Sequence, residues 1–105
     1  MMPASSLEHT TLFPRQRSDV LVRTVDGETV VLDRTKELVH RLNAPASTIW
    51  AECNGTQDVP AIARRLREVF DVDAETANRD VTETVTKLLE LGLVSVDLRE
   101  GAEQS

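Results

Sequence analysis

The sequence predicts an α+β domain that is winged helix-turn-helix-like: a three-stranded antiparallel sheet, then three helices, then a short C-terminal strand. Three observations predict it. A strand-type pattern runs from Asp19 to Asp33 and is broken once, at Asp26-Gly27. From Asn43 the apolar period changes from two to about 3.6 and recurs in three separate stripes. After Gly92 a β-type run, Leu93–Asp97, returns.

Each element has its own local cause. Val20–Val25 and Thr29–Leu32 are rich in Val, Leu and Thr, which suit a pleated, half-buried surface. Asp-Gly between them is a strong hairpin signal, because both residues tolerate positive φ. A polar turn, Asp33 to Glu37, leads to a third strand, Leu38–Leu42. There Leu38, His40 and Leu42 share one face, and Val39 and Arg41 the other.

Asn43 is a good N-cap and Pro45 fits a first helical turn. Ala46, Ile49, Trp50 and Cys53 then follow at i, i+3, i+4, i+7, and Gly55 is placed to stop that helix. A second helix starts near Asp58 with Pro60 in its first turn. Its stripe is Val59, Ile62, Ala63, Leu66 and Phe70. Asp73 caps a third, whose stripe is Ala77, Val81, Val85, Leu88 and Leu89, ending at Leu91-Gly92.

A chain of 105 residues implies one domain, placed at residues 19–98. Residues 1–18 read as a flexible N-terminal segment, with Pro3 and Pro14 and no sustained period, and 99–105 as a flexible tail. No run approaches the roughly 20 apolar residues of a membrane span, and residues 1–17 hold no signal-type apolar core, so the expected location is cytoplasmic, away from membranes. The single cysteine excludes an intrachain disulfide and a Cys-cluster zinc site.

Twelve basic against 18 acidic residues, a net charge of −6, disfavour a nucleic-acid partner. The third helix sharpens this. Asp71 to Glu90 holds six acids (Asp71, Asp73, Glu75, Asp80, Glu83, Glu90) against Arg79 and Lys87, a net −4 that repels phosphates. The one basic cluster, Arg64, Arg65 and Arg67, reads as a solvated face of the second helix. A winged-helix DNA-binding transcriptional regulator therefore stands as the alternative reading only.

Catalysis finds little material. Cys53 lies on an apolar stripe and reads as a small buried hydrophobe. His40 reads as an exposed strand histidine. Asp71, Asp73 and Glu75 lack the glycine and terminal glutamate of a calcium loop and read as helix-capping charge. No phosphate-cradling glycine loop appears, and nothing calls for a cofactor. Peptide recognition remains. An outer strand of a meander leaves unpaired N–H and C=O groups that template a further strand, and a helix beside it makes a groove. Exposed edges also permit a homodimer.

The stretch V-V-L-D-R-T-K-E-L-V-H-R-L-N-A-P-A-S-T-I-W-A-E-C-N-G-T, followed by A-I-A-R-R-L, F-D-V-D, D-V inside the third helix and L-L-E-L-G-L-V, resembles the PqqD-like family. These are precursor-peptide recognition elements of ribosomally made, post-translationally modified peptide pathways. The resemblance covers about Val20 to Val96. It implies a non-enzymatic module that binds a leader peptide as a strand antiparallel to the third strand, flanked by the third helix. It also implies delivery of the precursor to a modifying enzyme such as a radical-SAM protein or a peptidase. Carried over by position, the peptide-binding residues are Leu38, Val39, His40, Arg41 and Leu42 on the strand. On the helix they are Asn78, Thr82, Val85 and Leu89. Arg41 and Arg79 are candidates to pair with acids in the leader. The third strand departs from the family in carrying no aromatic, and the N-terminal segment exceeds that of the shortest members.

Overall fold

The computed structural model describes residues 10–100; the expectations for residues 1–9 and 101–105 lie outside the described residues. The element order is β1 (Thr10–Gln16), β2 (Leu21–Val25), β3 (Glu28–Asp33), β4 (Leu38–Leu42), α1 (Ala44–Glu52), α2 (Val59–Val69), α3 (Ala74–Glu90) and β5 (Val94–Glu100). The α+β class, the meander, the three helices and the C-terminal strand are those the sequence predicts.

The meander forms for the local reasons given. Asp26 and Gly27 both take positive φ, 53° and 79°, which matches the twist of the strands they join. β2, β3 and β4 pair antiparallel in that order, with Val22 opposite Val31 and Val31 opposite His40. Thr29, Val31 and Asp33 alternate inward and are buried. The three helices start where short polar side chains satisfy free N–H groups. Asn43, Asp58 and Asp73 accept from the backbone N–H of Ala46, Ala61 and Thr76 respectively. The core gathers Val31, Ile49, Trp50, Ile62, Leu66, Val81, Leu88 and Leu93, with Phe70 packed against its margin.

The N-terminal expectation needs correction. Thr10–Gln16 is not a loose lead-in; it forms β1 and pairs along its length with β5, from Thr10 opposite Glu100 to Gln16 opposite Val94. Arg99 and Glu100, read as tail, belong to that same ladder. Pro14 disguised the strand, since proline interrupts a strand pattern. In a two-stranded ribbon each strand has one unpaired side, where a missing N–H costs nothing. Here Pro14 is buried, and its carbonyl accepts from the N–H of Gly55 at 2.9 Å.

Gly55 stands where the chain passes closely over β1. Its φ is +83°, and a Cβ there would lie 2.6 Å from the Arg15 guanidinium carbon. The helix itself ends earlier than the glycine, with Cys53 as C-cap. Beyond β1, the Arg17 guanidinium reaches the fully buried Asp33 carboxylate at 2.9 Å. That pair ties the β1–β5 ribbon to the last residue of β3. The Arg17 hydrogen bond and the Lys36 N–H together outweigh burial, which by itself raises the Asp33 pKa, and hold it below the usual aspartate value.

Candidate functional site

Among the described residues β4 is an outer strand, hydrogen-bonded to β3 on one side only. Beyond its open side stands α3, and between the two runs a cleft of about 650 Å³. Val39, His40, Arg41 and Leu42 form the strand side of the cleft. Asn43, Pro45, Ala46 and Ile49, from the start of α1, close one end. Asp80, Glu83, Thr84, Lys87, Leu88 and Leu91 form the helix side.

The start of α1 is fixed against the sheet by one hydroxyl. Ser47 Oγ donates to the Leu42 carbonyl at 3.0 Å and accepts from the Thr29 N–H at 2.8 Å. With the Asn43 cap, this sets the direction in which the chain leaves β4. It also keeps Pro45 and Ala46 at the mouth of the cleft.

Of the five strand residues expected at the site, Val39, His40, Arg41 and Leu42 line this cleft. Val39 is 64% exposed and Leu42 is buried, as alternation requires. Arg41 lies on the outer face and pairs with Glu28 at 3.2 Å. Leu38 is exposed at the entrance of β4 but does not line the cleft. His40 is half-buried, on the inner face opposite Val31. Its Nε2 is shielded from solvent and, among the described residues, has no hydrogen-bond partner. Such an atom carries a desolvation cost that a partner from outside relieves.

The helix half is rotated. Val85 is 4% exposed and belongs to the core. Thr82, Val85 and Leu89 line a different and smaller cleft of about 330 Å³, formed with Thr11 and Leu12 of β1 and with Asp58, Val59 and Pro60. Asn78 lines neither cleft and donates to the Ala74 carbonyl. Arg79 is exposed and also lines neither.

Of the six residues on the helix side of the cleft, Asp80, Thr84, Lys87 and Leu91 each stand two positions beyond an expected one. Two residues turn an α-helix by about 200°, which carries a set of side chains to the opposite side. The signal was present: Asp80, Glu83, Thr84, Lys87 and Leu91 recur at helical spacing beside the buried stripe of Ala77, Val81, Val85 and Leu88.

Chemically the cleft joins the edge of β4 to the charged side chains Asp80, Glu83 and Lys87 and to the apolar Val39, Leu42, Ile49 and Leu91. Cys53 is fully buried, and burial first, then the nearby Glu52 charge, push its thiol up to about 12. It is therefore a thiol and not a thiolate at neutral pH, and it donates to the Ile49 carbonyl. Among the described residues no group of three His, Cys, Asp or Glu side chains is arranged to hold a metal. No described helix is long and apolar enough to cross a membrane.

Residues 28–94 match the family described as "Coenzyme PQQ synthesis protein D (PqqD)". Two solved structures share the fold. TbiB1, in complex with the TbiA(beta) leader peptide, has a TM-score of 0.69 at 22% identity, covering 77% of this chain and 94% of that one. Lasso peptide synthetase B1, complexed with the leader peptide, has a TM-score of 0.70 at 26% identity, covering 79% and 98%. No curated protein sequence matches the chain.

Proposed function

The chain belongs to the PqqD family, and from that premise we propose that it is a non-catalytic module that binds the leader segment of a ribosomal precursor peptide. The peptide adds to β4 as a fourth strand and lies against α3. The observation that carries this reading is the open side of β4 with a walled cleft beside it. Main-chain hydrogen bonds supply affinity there, and pockets between Val39, Leu42, Ile49 and Leu91 select side chains. The two similar folds, each solved with a leader peptide, support the same use of this one.

The module works in the cytoplasm, where ribosomal products emerge, and presents the precursor to a modifying enzyme such as a radical-SAM protein or a peptidase. Strand β4 and the cleft-facing side of α3 carry the contact. The DNA-binding alternative gains no support, since the face that α3 turns to the cleft holds Asp80 and Glu83, which repel phosphate.

The test is hydrogen exchange with a tight-binding 12-residue peptide selected from a displayed random library. Strand addition is expected to slow exchange at amides within Leu38–Leu42, and a Thr84→Trp change that fills the cleft is expected to abolish both binding and protection. A peptide that binds without protecting β4, or that binds Thr84→Trp equally well, overturns the reading.

A further inference from the structure

The cleft has an electrical direction, and we infer that its peptide ligand carries a basic residue followed two positions later by an acidic one. The inference rests on the strand-addition reading above and deepens it to a class of ligand.

The direction follows from how α3 passes β4. Lys36, two residues before β4, donates from Nζ to the carbonyl of Leu91, just past the end of α3, at 3.5 Å. The beginning of β4 therefore lies beside the end of α3, and the two run in opposite directions. With that direction Asp80 and Glu83, earlier in α3, come toward the Leu42–Asn43 end of the cleft, and Lys87, later in it, toward the Val39 end. Among the described residues none of these three side chains is in an ion pair or side-chain hydrogen bond. Their charges are left for a ligand.

Two other sources of charge act on the cleft. Arg41 also lines the acidic end, but it lies on the outer face and its charge is offset by Glu28 at 3.2 Å. The helix ends oppose the pattern, because the start of α1 is partly positive and the end of α3 partly negative. Each amounts to about half a charge, already met by the Asn43 cap and by Lys36, against full charges on the three side chains.

An antiparallel strand on β4 runs parallel to α3, and antiparallel pairing is the more stable per residue. Its N-terminal part meets Asp80 and Glu83 first and its C-terminal part meets Lys87. Glu83 and Lys87 are separated along the helix by about 6 Å at 1.5 Å per residue. Two strand residues span about 6.7 Å and point to the same face. The complementary ligand pattern is thus Lys or Arg, any residue, then Asp or Glu, all on the α3 side of the added strand.

The experiment selects the same displayed random 12-residue library on the wild type and on a Glu83→Lys/Lys87→Glu double variant. Peptides recovered on each are also measured against Thr84→Trp by fluorescence anisotropy. The expected result is a basic-x-acidic pattern on the wild type and an acidic-x-basic pattern on the double variant. Exchanging the two charges in a recovered peptide is expected to weaken wild-type binding about fivefold. Peptides that require an open cleft, being lost in Thr84→Trp, yet show no charge order or keep the same order on both proteins overturn this inference alone. Failure to recover any peptide that Thr84→Trp loses overturns the strand-addition reading, and this inference with it.

Discussion

Two adjacent residues on α3 have opposite jobs, and exchanging their fates is the strongest test of how the helix is turned. Val85 is 4% exposed among core side chains, whereas its neighbour Thr84 lines the cleft. Val85→Ala removes two buried methyl groups, worth roughly 1.6 kcal/mol at about 0.8 each. The unfilled space adds about 1 kcal/mol, and the better helix propensity of alanine returns about 0.5. The net loss is roughly 2 kcal/mol, or about 8–16 °C in Tm for a domain this small. The cleft loses nothing by this change, so the remaining folded protein binds peptide as before. Thr84→Trp should do the reverse. It replaces a half-buried side chain beside open space and should change stability by less than about 0.5 kcal/mol. Its indole occupies the channel that a strand about 4.8 Å from β4 needs, so binding should fall at least ~30-fold. Circular dichroism melting gives the first quantity, and anisotropy of a fluorescein-labelled selected peptide the second. If Val85→Ala leaves Tm unchanged while Thr84→Trp unfolds the protein, α3 does not turn Val85 to the core and Thr84 to the cleft.

Three further outcomes follow from single groups. His40→Leu removes a shielded nitrogen that has no partner among the described residues, so the free protein should melt at the same temperature or several degrees higher; a large drop in Tm would show that Nε2 is satisfied in solution. Asp33 has its pKa lowered in the fold, so its contribution is present at neutral pH and above the ordinary aspartate value of about 3.9, and is lost as pH falls through the lowered folded value. Asp33→Asn should therefore be less stable at pH 7 yet show a flatter acid limb in denaturant midpoint against pH, and an unchanged limb would refute the assignment. Cys53 should react with a maleimide only as fast as the protein opens, given its full burial and a pKa near 12. Labelling of the native protein at the rate of a free peptide thiol would contradict that, and Cys53→Ala should leave peptide binding within a few fold.

The Arg17–Asp33 contact also explains how a domain with a small core keeps its ribbon in place. β1 and β5 come from opposite ends of the described chain and, among the described residues, pair only with each other in their sheet. Main-chain bonds from Gln16 to the Cys53 carbonyl and from Arg17 to the Leu93 carbonyl, both 2.9 Å, hold the ribbon to α1 and to the residue before β5. The Arg99 guanidinium adds a stack over Phe13, 4.1 Å from the ring centre, and donates to the Gly55 carbonyl at 2.8 Å. These contacts lie away from the β4 cleft, so the ribbon braces the fold without occupying the open strand edge.

What the amino-acid order determined by itself was everything set by neighbours a few residues apart. The Asp26-Gly27 turn follows from two positive φ angles. The three helix starts follow from Asn43, Asp58 and Asp73, and the buried stripes from 3.6-residue spacing. That an outer strand of the meander would be an edge was equally legible, and the family resemblance implied that the edge in use is β4. Two features needed the folded chain. The β1–β5 pairing joins Thr10 to Glu100, a separation no local pattern encodes, and Pro14 hid the strand that makes it. The other was the rotation of α3. Its apolar residues extend past one stripe, through Leu89 to Leu91, so either flank of the helix was compatible with a groove. Packing of Ala77, Val81, Val85 and Leu88 into the core turned Asp80, Thr84 and Lys87 toward β4 and left Thr82 and Leu89 on the other side. A helix offers several faces, and only the neighbours it packs against select which one a ligand meets.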